Sequence, residues 1–295
     1  MQKKKTIRLL YPEWHGGALS TYYFGANLLA SILPNSPLDP DPTFKVEVRD
    51  PNGIDARREL KEEAGIVARS EIRNNFQNAM EIIKREKPDR IITIGGDCFV
   101  SLAAFDYLHG IYKDELGILW VDAHPDVLTP NFFNHAHAMV LGTLLGGGDE
   151  GLRSLLTNEP FAGEKICYAG LQKLLPEEEA ILRDHGVNYR IQEDSMLTKH
   201  ELAEWIYKNS VHHLLVHFDV DVLSPQLFAS TYFAHPTLQE ESGSRGIMDF
   251  DAVHDILHAA EILSNIEGFT VAEYLPWSEE KLANIFRNLD FFSYF

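Results

Sequence analysis

The sequence predicts an α/β fold with a mainly parallel central sheet. Short apolar runs typical of buried strands alternate along the chain with longer segments of helical spacing. Four of these runs, at positions 91–94, 116–121, 214–216 and 269–271, lead directly into acidic or other metal-capable residues. Because open parallel sheets bind their ligands just beyond the carboxyl ends of the strands, we expect these residues to meet at one edge of the sheet.

The length and composition indicate a globular enzyme rather than a disordered chain. The 295 residues are 45% hydrophobic and 24% charged, and we expect them to form a single domain, residues 1–295. A formal net charge of −18 argues against nucleic acid and anionic membranes as partners, since both attract a basic surface. The only cysteines are Cys98 and Cys167, which fits a reducing cytoplasm. No window is apolar enough to predict a membrane span.

The first elements follow from apolar runs, prolines and helical spacing. Residues 7–11 are an apolar run and predict the first strand, and a glycine turn then leads to a helix at 22–33. Four prolines make residues 34–42 a loop, and the alternation at 44–48 predicts a second strand. Residues 59–87 have helical spacing and end at a proline. The inward-facing stripe of this helix is predicted to contain Ile66, Ile72, Phe76, Met80 and Ile83.

From residue 91 onward, strands and helices alternate regularly. The predicted strands are 91–94, 117–121, 166–170, 188–191, 213–218 and 269–271. The predicted helices between them are 100–108, 137–145, 176–185, 201–209 and the amphipathic segment 250–264. This alternation is the pattern expected when helices connect the strands of a parallel sheet.

The residues that follow the strand ends are suited to divalent cations. Asp122, His124 and Asp126 are spaced two apart, so in an extended segment they would share one face, and Asp219 and Asp221 repeat the spacing. Each motif alone could be a turn at a strand end. Together, so many buried carboxylates would repel one another unless cations neutralised them. They predict a multinuclear site for ions such as Mn²⁺, Fe²⁺, Co²⁺ or Ni²⁺, and metal-assisted hydrolysis as the reaction class.

The order of these motifs resembles the ureohydrolase family of arginase, agmatinase, formiminoglutamase and guanidinobutyrase. Residues 95–98 resemble the family's Gly-Gly-Asp-His segment, and residues 122–126 match its Asp-Ala-His-x-Asp motif. Residues 137–146 are similar to the segment that begins His-Gly-x-Pro. Residues 218–225 resemble Phe-Asp-x-Asp-x-x-Asp-Pro, and residues 273–276 resemble Glu-x-Asn-Pro. The resemblance implies a three-layer α/β/α arginase-like fold and a homo-oligomer.

The resemblance also implies a role for each matching residue. One metal ion would be bound by Cys98, Asp122, Asp126 and Asp219. The second would be bound by Asp122, His124, Asp219 and Asp221, with Asp122 and Asp219 bridging the two ions. His137 would carry protons, Glu273 would bind the guanidinium or amidine group, and Asp126 would join these two as a catalytic residue.

Cys98 departs from the family pattern, which has histidine at this position. Mn²⁺ is the first expectation for the two ions. Because a thiolate is softer than imidazole, Fe²⁺, Co²⁺, Ni²⁺ and Zn²⁺ are also open. A buried structural cysteine is the alternative interpretation. His212, His213 and His217 are interpreted as satisfied polar or edge histidines rather than ligands.

The loop at 127–136 bears on the substrate. Arginase-like enzymes have small polar residues here, whereas this chain has Leu128, Phe132 and Phe133. Arginine, N-hydroxyarginine, another amidine or a small guanidino acid therefore remain open as substrates.

The predicted function is hydrolysis of a guanidino or amidino C–N bond in a small cationic substrate by two divalent metal ions. Urea or an analogue would be released. One alternative is a family member that binds a metal or ligand without catalysis, which Cys98 motivates. The other is a deacetylase of the related fold with a single zinc ion, but the His-His pair expected ahead of such a site is missing before Asp122.

Overall fold

Parallel strands form the central sheet of the protein, whose computed structural model describes residues 4–52, 59–235 and 244–287. In chain order the strands are β1 (Thr6–Tyr11), β2 (Thr43–Lys45), β3 (Glu62–Glu63), β4 (Ile66–Val67), β5 (Arg90–Gly95), β6 (Leu116–Val121), β7 (Ile166–Ala169), β8 (His213–Asp219) and β9 (Asn265–Ala272). The sheet has seven strands in the order β2-β1-β5-β9-β8-β6-β7, and every pairing in it is parallel. β3 and β4 pair antiparallel as a separate ribbon.

The helices connect these strands in sequence. They are α1 (Thr21–Ile32), α2 (Arg69–Glu86), α3 (Ser101–Tyr112), α4 (Val140–Leu144), α5 (Glu150–Arg153), α6 (Pro176–Asp184), α7 (Lys199–Lys208), α8 (Phe250–Leu263) and α9 (Trp277–Arg287). The N-terminus of α7 is a capping box in which the Thr198 hydroxyl accepts from the Glu201 amide and the Glu201 carboxylate accepts from the Thr198 amide. In the described ranges, none of the helices combines the length and apolarity needed to cross a bilayer.

Helices cover both faces of the sheet, because alternate side chains of its strands enter two different cores. On β6, Ile118 and Trp120 belong to a core that includes side chains of α2 and α3. Leu119 and Val121 belong to a second core that includes side chains of α7 and α8. A strand that is buried on both faces has a continuous apolar sequence, as β6 does. The predicted α/β fold with a parallel sheet is confirmed.

The helix predicted at 59–87 begins only at Arg69. Residues 62–67 instead form the β3–β4 ribbon, which turns at Ala64 and Gly65, both with positive φ. Ile66 therefore lies in β4, although it is buried as predicted. The other four members of the predicted stripe are buried on α2. Because a residue with left-handed backbone angles cannot continue a right-handed helix, the helix begins only after this turn.

The strand predicted at 188–191 is absent from the described structure. This segment runs beside β7, but the side chain of Gln192 takes the hydrogen bonds that a neighbouring strand would make. Gln192 Oε1 accepts from the Gly170 amide at 3.0 Å, and Gln192 Nε2 donates to the Tyr168 carbonyl at 2.8 Å. β7 is consequently the last strand of the sheet. The strand predicted at 44–48 is likewise shorter, since only Thr43–Lys45 pairs with β1.

Candidate metal centre

The predicted site residues meet at the carboxyl ends of four neighbouring strands. β5, β9, β8 and β6 are adjacent in the sheet, and each leads into one of the motifs. The buried side chains at this edge are Cys98, Asp122, Asp126, Asp219, Asp221 and Glu273. His124 and His137 are partly exposed beside them. The edge of the sheet thus brings together the residues that the sequence placed after separate strands.

Two overlapping groups of side chains have the arrangement needed to bind a metal ion. The donor atoms of Cys98, Asp122, His217 and Asp219 all lie within 4.8 Å of one another, and so do those of the group Asp122, His124 and Asp221. Donors that bind one ion at about 2.0–2.3 Å are at most roughly 4.6 Å apart. Each group therefore has dimensions close to those of a single metal site, and Asp122 is shared by both.

Cys98 and Asp219 form the centre of the first group. Cys98 Sγ donates to Asp219 Oδ2 at 3.0 Å, and Asp219 Oδ1 accepts from the Asp221 amide at 2.6 Å. Cys98 begins a short 3-10 turn directly after Gly96 and Asp97, so the thiol is fixed by the turn that follows β5. The sulfur and the carboxylate already face each other in the way that two ligands of one ion do.

His124 lies between two carboxylates in the second group. Its Nδ1 is 3.3 Å from Asp122 Oδ1 and 3.2 Å from Asp221 Oδ2. Trp120 Nε1 donates to Asp122 Oδ2 at 3.0 Å and fixes the orientation of this shared carboxylate. Among the described residues, the other oxygen of Asp221, Oδ1, has no hydrogen-bond partner. The second group therefore has an oxygen available for a cation.

Asp126 differs from its predicted geometry. Residues 122–124 form a bend rather than an extended segment, and Asp126 has a φ of +49°. The side chains at 122, 124 and 126 therefore do not simply share one face, and Asp126 belongs to neither group. Its carboxylate is nevertheless buried nearby, and within the described part of the chain its Oδ2 has no hydrogen-bond partner.

The electrostatics of this edge favour a bound cation. Burial first, and then the charges of neighbouring carboxylates, raise the pKa of Asp122, Asp126 and Asp219 above the ordinary range. The same causes raise the pKa of Asp97 to about 8. Burial and the charge of Asp219 also raise the pKa of the Cys98 thiol. In the metal-free protein these groups therefore bind protons more tightly than usual, and the thiol, carboxylates and imidazoles fit divalent metal ions that would replace those protons.

Glu273 and His137 form a pair beside the two groups. Glu273 Oε1 accepts from the Cys98 amide at 3.1 Å and lies 3.2 Å from His137 Nδ1. Burial alone would lower the pKa of His137, but the hydrogen bond and the charge of Glu273 outweigh it and raise this pKa. The Tyr22 hydroxyl also hydrogen-bonds to Glu273. Sequence reasoning missed Tyr22, because its position near the start of α1 carries no signal of a contact with Glu273.

Asp97 connects the cysteine turn to the segment that supports His137. Its Oδ1 accepts from the Phe99 amide at 3.1 Å, and its Oδ2 accepts from the Gly17 amide at 2.9 Å. The carbonyl of Gly16 in turn accepts from the His137 amide at 3.3 Å. A Cβ at Gly16 would lie only 2.7 Å from the Asp97 carboxylate, so a side chain there would disturb this contact. Asp97 therefore supports two parts of the site at once.

His217 was interpreted from the sequence as a satisfied or edge histidine, but it is fully buried in the middle of the sheet. Its ring stacks on Trp120 with centroids 3.7 Å apart, and its Nδ1 lies 2.8 Å from Ser101 Oγ. Its Nε2 is 3.9 Å from Asp122 Oδ2. Burial lowers the pKa of His217 to about 4, so the imidazole is neutral. The spacing of two residues from Asp219 was the available sequence signal, since such positions share a face of a strand.

Aromatic rings surround the two partly exposed histidines. The Phe133 ring is 6.0 Å from His137, and the His135 ring is 6.2 Å from it. On the other side, the Phe233 ring lies 5.8 Å from His124. The loop at 127–136 thus contributes the rings of Phe133 and His135 that lie near His137.

The chain matches known proteins along most of its length. The model of the arginase family matches residues 43–282. An arginase from Entamoeba histolytica is 25% identical over 202 residues, which cover 65% of this chain and 64% of that protein, just under two thirds of its length. The crystal structure of Entamoeba histolytica arginase in complex with L-ornithine has a TM-score of 0.74 at 18% identity and covers 94% of this chain and 93% of that chain. The formimidoylglutamase from Bacillus subtilis has a TM-score of 0.61 at 12% identity, covering 93% and 80%. Because the family model covers well over half of the sequence, this chain belongs to the arginase family, the ureohydrolases that its motifs predicted.

Proposed function

We propose that the protein is a dinuclear-metal hydrolase that cleaves a C–N bond of a small cationic guanidino or amidino compound and releases urea or an analogue. The observation that carries this proposal is the pair of overlapping donor groups that share Asp122. They lie beside a buried carboxylate, Glu273, that contacts the imidazole of His137. A cation-binding edge next to an acid–base pair is the arrangement that hydrolysis of a guanidinium group needs.

The proposed metal ligands are Cys98, Asp122, His124, Asp126, Asp219 and Asp221. Their mixture of carboxylate and imidazole suits Mn²⁺, and the thiol extends the choice to Fe²⁺, Co²⁺, Ni²⁺ and Zn²⁺. When bound, a pair of such ions lowers the pKa of a water molecule and so supplies the nucleophile near neutral pH.

Glu273 would bind and orient the substrate cation. A carboxylate forms paired, charge-assisted hydrogen bonds with a planar guanidinium. The Cys98 amide and the Tyr22 hydroxyl both hydrogen-bond to this carboxylate, so it is held in place before the substrate arrives. Since Glu273 is only 3% exposed, its interaction with a cation would be little screened by solvent.

His137 would give a proton to the departing amine. The raised pKa of its imidazole, which Glu273 causes against the opposing effect of burial, keeps the acid form populated nearer to neutral pH. Within the described part of the chain, Oδ2 of Asp126 has no hydrogen-bond partner, so it would accept a hydrogen bond and then the proton of the attacking water. The departing amine would take its proton from His137, so one proton is released and one is taken up.

The proposed substrate class rests on one structural relative and on the aromatic rings beside the two histidines. The complex of the Entamoeba histolytica arginase with L-ornithine supports an amino-acid-like substrate for this chain as well. Because the rings of Phe133 and Phe233 lie beside His137 and His124, compounds that differ from plain arginine in the tail or in the guanidino group are compared with it. Arginine, N-hydroxyarginine, agmatine, guanidinobutyrate and formiminoglutamate are the compounds to compare.

The test is to load the purified protein separately with Mn²⁺, Fe²⁺, Co²⁺, Ni²⁺ and Zn²⁺, count ions per chain, and measure urea or ammonia release from that panel. The matched variants are Asp122→Asn, which removes the shared ligand, and Asp255→Asn, which changes a carboxylate on α8 whose side chain is 83% exposed. We expect two ions and turnover of one compound in the wild type and in Asp255→Asn. Asp122→Asn should bind less than one ion and turn over none of the compounds.

Other outcomes would favour the alternatives. One zinc ion per chain with deacetylation of an acetylated amine would indicate the deacetylase, and stable binding of an ion without any hydrolysis would indicate a non-catalytic family member. The single-domain organisation, the homo-oligomer and the cytoplasmic location stay predictions of the sequence.

A further inference from the structure

His217 is a buried side chain with a free nitrogen that points at the first donor group. It lies on β8, is 0% exposed, and its Nε2 has no hydrogen-bond partner among the residues that the structure describes. Buried polar atoms in proteins are almost always paired, and each exception calls for a reason such as an ion. A metal ion is a reason that fits here, because His217 belongs to the same cluster of donor residues as Cys98 and Asp219.

The register of the sheet places His217 beneath the two carboxylates of this cluster. Trp120 on β6 pairs directly with His217 on β8. Asp122 and Asp219 each follow two residues later, so they point to the same side of the sheet, one level closer to its carboxyl edge. The stacked Trp120 ring fixes the plane of the imidazole at an interplanar angle of 13°. His217 is therefore held rigidly on β8, one level below Asp122 and Asp219.

The contacts of the ring are those of a metal-binding histidine. Its Nδ1 lies 2.8 Å from Ser101 Oγ, and a hydrogen bond from Nδ1 to this hydroxyl leaves the lone pair on Nε2. Ligating histidines generally donate their other ring nitrogen in this way. The 3.9 Å between Nε2 and Asp122 Oδ2 is too long for a hydrogen bond. It fits two donors of one ion, which can be up to roughly 4.2 Å apart.

We propose that His217 Nε2 is a direct ligand of the first metal ion, together with Cys98, Asp122 and Asp219. This inference rests on the proposed dinuclear site and adds an imidazole to it. The chain has a cysteine at position 98, where its family motif has histidine. The shorter thiol after β5 leaves room for an imidazole from β8, which is separated from β5 by β9. The resulting ligand set of one sulfur, one nitrogen and carboxylate oxygens favours Co²⁺, Fe²⁺ or Zn²⁺ over Mn²⁺ at the first metal site.

The first test uses Co²⁺-loaded protein, in which the N–H proton of each ligating imidazole gives a separate, strongly shifted and exchangeable NMR signal. The variant His217→Asn keeps an amide near Ser101 but has no donor atom at the position of Nε2. The control His213→Asn changes a histidine on the same strand that pairs with Glu267 instead. We expect His217→Asn to lose one shifted signal and to bind its first ion more than about 100-fold more weakly. His213→Asn should keep both properties.

A second measurement needs no variant. His124 faces its carboxylates with Nδ1, so its remaining N–H is on Nε2, whereas His217 would bind through Nε2 and keep its N–H on Nδ1. In wild-type protein containing histidine labelled with ¹⁵N at Nδ1 only, we therefore expect one of the shifted signals to be split by ¹⁵N.

Three results would overturn the inference. In a folded His217→Asn protein, unchanged signals and affinity would show that the ring is only packed. In the labelled wild type, the absence of any split signal would also show that His217 is not a ligand. If two ions still bind and hydrolysis still occurs, the proposed function would hold without this inference. A wild type that binds no Co²⁺ would remove both proposals together.

Discussion

Replacing Glu273 by glutamine should remove most of the activity while leaving the fold intact. Glutamine has nearly the same shape, but it cannot pair as an anion with the substrate cation or with His137, whose Nδ1 lies 3.2 Å from Glu273 Oε1. Loss of one partner of a buried, hydrogen-bonded charge pair costs about 2–5 kcal/mol. Glu273 is 3% exposed, so screening by solvent reduces this free energy only slightly. The expected decrease in kcat/KM is therefore about 30-fold to about 5000-fold.

The pH dependence of the variant tests the same reasoning independently. Burial acts to lower the pKa of His137, and the hydrogen bond and charge of Glu273 hold it above the ordinary 6.5. In Glu273→Gln that pKa should fall, so the alkaline limb of the rate profile should move to lower pH. A histidine with a raised native pKa stabilises the fold below pH 6.5, and this contribution is lost as pH rises through the native pKa. The stability difference between wild type and variant in the metal-free state should therefore shrink as pH rises.

The assay is steady-state kinetics on the identified substrate across pH, with urea denaturation of both metal-free proteins. Glu267→Gln is the matched control, because Glu267 forms a similar pair with His213 at the opposite end of β9. Its kcat/KM per folded protein should equal that of the wild type. A Glu273→Gln protein with wild-type kcat/KM, or with an unmoved alkaline limb, would refute the roles assigned to the pair.

Four substitutions test the construction of the site. Asp122→Asn should lower the metal content from two ions to less than one, because both donor groups contain this carboxylate, whereas Asp221→Asn should lose one ion; elemental analysis after dialysis counts them. Trp120→Phe removes the hydrogen bond from Nε1 to Asp122 Oδ2 and should weaken metal binding about 10-fold to 100-fold in calorimetric titrations, with the fold retained. Gly96→Ala should prevent stable folding or lower the melting temperature strongly, because its Cβ would overlap the carbonyl oxygen of Glu13; circular dichroism during heating measures this.

Each of these changes has a result that would count against it. Equal metal content in Asp122→Asn and Asp221→Asn would mean that the two donor groups do not share a ligand. Unchanged affinity in Trp120→Phe would mean that the indole only packs. For Gly96→Ala the control is Gly186→Ala, where a Cβ would meet no atom within 4 Å and only the positive φ of +68° opposes it, at about 1–2 kcal/mol. An equally small effect at Gly96 would contradict the predicted overlap.

The strands of the central sheet could be predicted because each is a local pattern. The segment 116–121 is apolar throughout, which is typical of a strand that packs on both faces, and β6 has those bounds. The errors arose where contacts distant in sequence decide the structure. Residues 188–191 have a strand-like composition, but the side chain of Gln192 takes the hydrogen bonds along β7. The ribbon at 62–67 interrupts a helical pattern, and the Val67 amide donates to the carbonyl of Asn134 in another loop.

By itself, the sequence determined which donor side chains the protein has and at which strand ends they lie. The parallel order of the strands then follows from the alternation with helices, and with it the convergence of Cys98, Asp122, Asp219 and Glu273 at one edge. Only the tertiary structure decided which side chains share an ion or a proton. The bend after β6 separates Asp126 from the two groups, and the register of β6 with β8 brings His217 under Asp122. Such contacts depend on backbone angles and strand register, which no spacing within one segment contains.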